Sequence, residues 1–273
     1  MNVENININA LFIGPMKTAT TWIYDYLSSR NDIDMPGGVK ETFFFSENYD
    51  KGLSWYLEHF NNINRGKIKV EVAPSYFHSK AAPTRIKKSL GPDIQIITTL
   101  REPVSRSYSH YLHLKRYGFT TKNLSAAISD YPEIIEASKY EYQIERWQSY
   151  FGRDTKILIL DELTSSPEDF VKRLCGYLGI AFSEIPEDLK KSKSNVSTQP
   201  YSTTLASWGQ KVADYLREKR LYGPIAMAKR MRLKKIFFGM PSSSKTQTIN
   251  DVEKKFLQKE LKKEIIYYEK LRS

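Results

Sequence analysis

Three groups of residues have the types and spacing to do chemistry. The first is Gly14-Pro-Met-Lys17-Thr18-Ala19-Thr20-Thr21-Trp22, a short loop that offers backbone N–H groups, one lysine and three hydroxyls. Such a loop suits a phosphate, because anions are stabilised where free N–H groups meet the positive end of a helix dipole. The second is Arg101 with Ser109, eight residues further on. Arginine presents a rigid fork of donors that matches a phosphate, and a serine adds one hydroxyl. The third is Val39-Lys40-Glu41-Thr-Phe-Phe44-Phe45, where a carboxylate precedes three aromatic residues. Apolar surroundings raise a carboxylate's pKa and turn a weak base into a useful one near neutral pH.

The elements that must position these groups follow from local pattern. Apolar residues 10–13 predict a short buried strand, which Gly14 and Pro15 end. Thr20 or Thr21 is expected to cap a helix running through Trp22, Ile23, Tyr26 and Leu27. Residues 93–100 (DIQIITTL) predict a second buried strand, ending at Arg101. A helix is expected to start at Pro103, with Glu102 near its positive end. Residues 68–72 and 156–160 predict further strands, and a helix is expected from Pro167 to Leu178. Tyr140, Ile144, Trp147 and Phe151 mark one buried face of another helix, over 140–151. Strands alternating with helices predict a parallel sheet covered on both faces, with ligands at the carboxyl ends of the strands.

The loop is not a Walker A motif, which places its lysine directly before the magnesium-binding hydroxyl. It resembles the 5′-phosphosulfate loop (PKxGTTW) of sulfotransferases that use 3′-phosphoadenosine 5′-phosphosulfate (PAPS). Arg101 and Ser109 resemble that family's 3′-phosphate site. The KETFFF segment is similar to the KEPHFF of glycan sulfotransferases, the heparan-modifying ones in particular. The resemblance covers residues 9–180 and implies an α/β, P-loop-like three-layer sandwich with a central parallel sheet. It implies PAPS as cofactor, no metal, and cofactor contacts from Gly14, Lys17, Thr18, Ala19, Thr20, Thr21, Trp22, Arg101 and Ser109. Lys193 and Asn195 are further contacts, in a loop expected to cover the cofactor. Glu41 would be the catalytic base and Lys17 would neutralise the bridging oxygen. Lys40, Phe44, Tyr76 and His78 would meet the acceptor, a small molecule or glycan.

The chain departs from the family pattern at two places. Ala19 stands where the family has glycine, a position where a positive φ or a close approach favours glycine. The segment VEVAPSYF resembles the family's EKTPSYF, with Val72 in place of a lysine that helps receive anionic acceptor groups. A strongly acidic acceptor therefore loses one cation, and a small natural product stands beside a carbohydrate or glycolipid as acceptor. Of the four histidines, His78 is the rival to Glu41 as base. His110 and His113 are read as residues of a helix face.

Composition bounds these readings. The 273 residues, 40% hydrophobic and 13% aromatic, suffice for one packed α/β domain over 1–273, with residues 181–273 forming the covering loop and C-terminal helices. The single cysteine, Cys175, and the lack of an apolar N-terminal run point to the cytoplasm. The net charge of +11 favours anionic partners. Residues 217–235 mix basic and apolar side chains and suit peripheral membrane contact. A basic nucleic-acid- or membrane-binding module is the alternative of another class, but no recognised nucleic-acid motif accompanies the charge. Residues 241–245 read as a connector and 251–271 as one amphipathic helix. Oligomeric state is not legible.

Overall fold

The computed structural model describes residues 7–60, 67–153, 155–191 and 249–273. Five strands form one parallel sheet: β1 (Ala10–Phe12), β2 (Ile33–Asp34), β3 (Ile68–Val72), β4 (Gln95–Leu100) and β5 (Lys156–Ile159). Their order is β2-β3-β1-β4-β5. The register pairs Phe12 with Val72 on one side and with Ile97 on the other, so β1 lies at the centre. Connections leave β1 toward one edge and later return to its other side. That reversal opens a crevice at the carboxyl ends of β1 and β4, the usual place for a ligand in an open α/β sheet. Lys17 and Arg101 follow those two strands.

Side chains alternate across the sheet and build two cores. On one face, Phe12, Val70, Val72, Ile97 and Leu158 pack with α1 (Thr20–Ser28) and α9 (Pro167–Leu178). On the other, Leu11, Ile13, Ile96 and Leu100 pack with Tyr56 of α2 (Gly52–Leu57), Ile86 of α3 (Ala82–Leu90), and Ile144 and Trp147 of α7 (Tyr140–Phe151). A third cluster joins α4 (Pro103–Arg116), α5 (Leu124–Asp130) and α6 (Glu133–Glu136) to the helix Asp251–Glu260. Helices α8 (Leu160–Ser165) and α10 (Glu187–Lys191) complete the described set before the C-terminal pair.

Helix α4 starts as its sequence implies. Pro103 occupies the first turn, and the Glu102 carboxylate accepts from the amides of Val104 at 2.9 Å and Ser105 at 2.7 Å.

Two local expectations need correction, and one strand was not expected. The helix expected over 251–271 is two helices, Asp251–Glu260 and Lys262–Arg272, broken at Leu261 with φ −108°. Leu257, Leu261 and Tyr268 still face the core, so the break redirects the chain while keeping its apolar side buried. The two-residue strand β2 is too short for a periodic signal, and no sequence pattern announced it. Neither Thr20 nor Thr21 caps α1: the cap is Ala19, with no side-chain hydrogen bond.

Candidate active site

Residues after β1 turn sharply into α1. Gly14 has φ +91°, and a Cβ there would lie 2.5 Å from the Cα of Pro74. Only glycine fits so close an approach. Its carbonyl accepts from the Thr99 amide at 3.1 Å and from the Thr98 hydroxyl, which fastens the loop to β4. The Thr18 hydroxyl donates to the Pro15 carbonyl at 2.7 Å. Lys17 (φ +74°) and Ala19 (φ +60°) both take left-handed backbone. Ala19 thus adopts the conformation for which the family's glycine is suited. With no capping side chain and no acidic residue in its first turn, α1 leaves its leading N–H groups to an external anion.

Lys17, Ala19, Arg101, Ser105, Ser109 and Arg116 line a cavity of about 720 Å³. The cavity is lined by four cations (Lys17, Arg101, Arg116 and Lys254) and two carboxylates, from Glu102 and Asp161, which favours a polyanion. Burial, then the Arg116 and Arg101 charges, lower the Lys17 ammonium to about 8. Trp22 lines a neighbouring cavity of about 830 Å³ with Leu163, Pro167, Ile185 and Leu189. Thr164 belongs to both cavities. The first compartment is therefore mainly cationic, and the second sets Trp22 and its apolar neighbours beside Glu168, Asp169 and Lys190; an indole next to a cationic pocket fits a nucleotide bearing phosphates at two positions. Trp22 stacks on Tyr26 at 5.9 Å and donates its indole N–H to the Leu189 carbonyl at 3.3 Å.

The carboxylate segment lies beside this site. Glu41 Oε1 accepts from the Ser75 amide at 2.9 Å. Burial pushes the Glu41 carboxyl up to about 7; the Ser75 contacts oppose that rise, the Glu71 charge adds to it and Lys40 opposes it. Lys40 Nζ sits 3.2 Å from the hydroxyls of both Thr20 and Thr21. The residue preceding the carboxylate is thereby tied to the first turn of α1.

Other expected residues lie elsewhere. Phe44 and Tyr76, expected to meet the acceptor, are wholly buried. Phe44 packs among Phe45, Tyr49 and Tyr56, and the Tyr76 hydroxyl is spent on Glu71. The exposed aromatic of the segment is Phe43, at φ +55°. Val72 is also fully buried, so its side chain faces the core. His78 is partly buried; burial and the nearby Arg106 and Arg146 hold its imidazole down to about 4. His113, read as a helix-face residue, feels Lys17, Arg116 and Lys40 and is held to about 3, chiefly by burial. Lys193, Asn195 and residues 217–235 and 241–245 lie outside the described residues.

Arg116, Ser105 and Lys254, which line this cavity, and Arg106 beneath the loop were missed in the sequence. Arg116 shares a helix face with Ser105, Ser109 and Leu112, and continuing that periodicity past Ser109 finds it. Arg106, wholly buried, reaches the Met16 carbonyl at 3.4 Å, as well as Ser138 and the Ile134 carbonyl. Nothing in the local sequence signals that role. Among the described residues there is no group of three or more His, Cys, Asp or Glu placed to hold a metal. None of the described helices is long and apolar enough to cross a membrane.

Residues 8–220 match the family described as "Sulfotransferase domain", and the chain belongs to that family. It is 31% identical over 193 residues to the bifunctional heparan sulfate N-deacetylase/N-sulfotransferase 1 of Xenopus tropicalis, covering 62% of this chain and 22% of that protein. It is 30% identical over 181 residues to the heparan sulfate glucosamine 3-O-sulfotransferase 3B1 of Mus musculus, covering 63% of this chain and 46% of that one. The chain thus spans less than half the length of these curated relatives. The fold is like that of a sulfotransferase from Alicyclobacillus acidocaldarius, with a TM-score of 0.58, 24% identity, and coverage of 68% of this chain and 89% of that one. The five-stranded parallel sheet with helices on both faces is the sulfotransferase fold.

Proposed function

We propose that the chain transfers a sulfuryl group from PAPS to an acceptor hydroxyl of a carbohydrate or glycolipid, with an amine as the second choice. One observation carries the reading: Glu41, at about 7, is held by the Ser75 amide while its neighbour Lys40 reaches the hydroxyls of Thr20 and Thr21. A base and an anion-binding turn are thus joined through adjacent residues. The donor, when bound, supplies the sulfuryl group and keeps the electron pair of the broken S–O bond on its phosphate.

Glu41 takes the proton from the acceptor oxygen as that oxygen becomes nucleophilic. A carboxylate at about 7 is close to the optimum for a base working at neutral pH. Lys17, with Arg101 and Arg116 beyond it, stabilises negative charge where the phosphate is left. The first-turn amides of α1 orient that phosphate, and Arg101 with Ser109 receives a second one. His78, at about 4, is the weaker base of the two.

Heparan-modifying relatives at about 30% identity support a glycan acceptor, and their names include both N- and 3-O-sulfotransferases. A small natural product is the second reading, favoured by the burial of Val72 where the family pattern has a lysine. The test of the mechanism is Glu41→Gln. Transfer should fall by about a hundred- to ten-thousand-fold, the usual worth of a general base, while 3′-phosphoadenosine 5′-phosphate still binds. Near-normal turnover would remove Glu41 from the reaction.

A further inference from the structure

Glu71 of β3 is a wholly buried carboxylate on the sheet face that meets α2. Its Oε1 accepts from the Thr42 amide at 2.9 Å and from the Thr42 hydroxyl at 2.6 Å. Its Oε2 accepts from the hydroxyls of Tyr56 at 3.1 Å and Tyr76 at 3.1 Å. Thr42 follows Glu41 in the chain, and Tyr76 follows Ser75. The two residues joined by the Glu41–Ser75 hydrogen bond therefore each precede a residue bound to the same carboxylate. Thr42 and Tyr76 also touch, with their hydroxyls 3.2 Å apart, and the Phe45 amide donates to the Tyr76 hydroxyl at 3.3 Å.

We propose that Glu71 is a positioning residue: its carboxylate clasps the Glu41 segment to the turn after β3. This rests on the reading of Glu41 as the base. An apolar residue could fill the same volume at lower desolvation cost, since a buried carboxylate is expensive unless every lone pair is met. The Thr42 amide can only donate, which makes Oε1 an acceptor, and with the Thr42, Tyr56 and Tyr76 hydroxyls also donating to this carboxyl the set suits the ionised form. Burial raises the Glu71 carboxyl, and the Thr42, Tyr56 and Tyr76 hydrogen bonds oppose that rise. Glu41 has Lys40 beside it on its own segment, Ser75 on the facing turn and Glu71 from the sheet. Among these, Glu71 is the like charge, so removing it must lower the Glu41 pKa.

Glu71→Gln keeps the shape of the clasp and deletes its charge. The acidic limb of the kcat/KM profile should move to lower pH by half a unit or more, with affinity for 3′-phosphoadenosine 5′-phosphate unchanged. A merely structural role would not move that limb. Thr42→Val removes the hydroxyl tether and keeps the Glu71 carboxyl and its bond from the Thr42 amide. It should lower kcat about ten- to a hundred-fold, as expected for a base displaced by about an ångström, and Thr42→Ser should restore it. An unmoved limb in Glu71→Gln, or an unchanged kcat in Thr42→Val, overturns the proposal while an inactive Glu41→Gln keeps the base. Should Glu71→Gln fail to fold, the Thr42 pair decides. Normal turnover in Glu41→Gln instead overturns the base reading itself.

Discussion

The Lys40 ammonium is within 3.2 Å of the Thr20 hydroxyl, so one cation joins the carboxylate segment to the first turn of α1. Its charge holds the Glu41 pKa down, opposite in sign to Glu71. Lys40→Met should therefore shift the acidic limb of kcat/KM to higher pH and weaken binding of 3′-phosphoadenosine 5′-phosphate. Profiles of the two variants, measured side by side, should move in opposite directions from the parent.

The parent profile should itself be a narrow bell. Glu41 must be ionised, which gives a rising limb near pH 7, and Lys17 must be charged, which gives a falling limb near pH 8. The kcat/KM profile reports free-enzyme groups. In the kcat profile the falling limb should move upward, because a bound polyanion favours the Lys17 ammonium. Initial rates measured across both limbs check this.

Glu41 also costs stability. Its folded-state pKa of about 7 lies above the ordinary 4.5, so the folded chain binds more protons between those values. Stability from this group is complete below about pH 4.5 and is lost as pH rises through 7. Glu41→Gln should melt at the same temperature as the parent near pH 4.5 and at a higher one at about pH 8. Thermal unfolding at the two pH values measures the difference.

Ala19 holds φ +60°, a conformation that costs an L-residue about 1–2 kcal/mol. Glycine there would relieve that strain and add about 0.4–1 kcal/mol of unfolded-chain entropy. Strain relief exceeds the entropy cost by about 0–1.6 kcal/mol and losing the buried Ala19 methyl takes back about 0.8 kcal/mol, so Ala19→Gly should change stability by less than about 1 kcal/mol and leave donor binding intact. Denaturant titration reads the difference, and a change of several kcal/mol would contradict it.

Much of the frame was legible because it is local. Runs such as Ile68–Val72 and Lys156–Ile159 are apolar strands with clear ends, and Pro103 and Pro167 mark helix starts. Lys17, Arg101 and Ser109 come together because strand ends in a parallel sheet share one edge. What stayed hidden depends on contacts distant in sequence. The run Phe43-Phe44-Phe45 does not say which ring faces water, and the fold exposes Phe43 while burying the other two. Glu71 looked like one matching letter of a motif, yet it lies at the centre of a hydrogen-bond network reaching Thr42, 29 residues away. Ala19 displaced the threonines as helix cap because the turn needs left-handed backbone at that position. Capping rules describe an isolated helix end and do not include that demand.

The most direct test is calorimetric titration with 3′-phosphoadenosine 5′-phosphate, adenosine 5′-phosphate and ATP with magnesium. Binding should be selective for the first. Arg101→Ala should weaken it by about ten- to a hundred-fold, the worth of a hydrogen bond to a charged group at about 1.5–3 kcal/mol. Equal affinity for adenosine 5′-phosphate, or binding of ATP with magnesium alone, would contradict the assignment of Arg101 and Ser109 to a 3′-phosphate and with it the PAPS-dependent reaction.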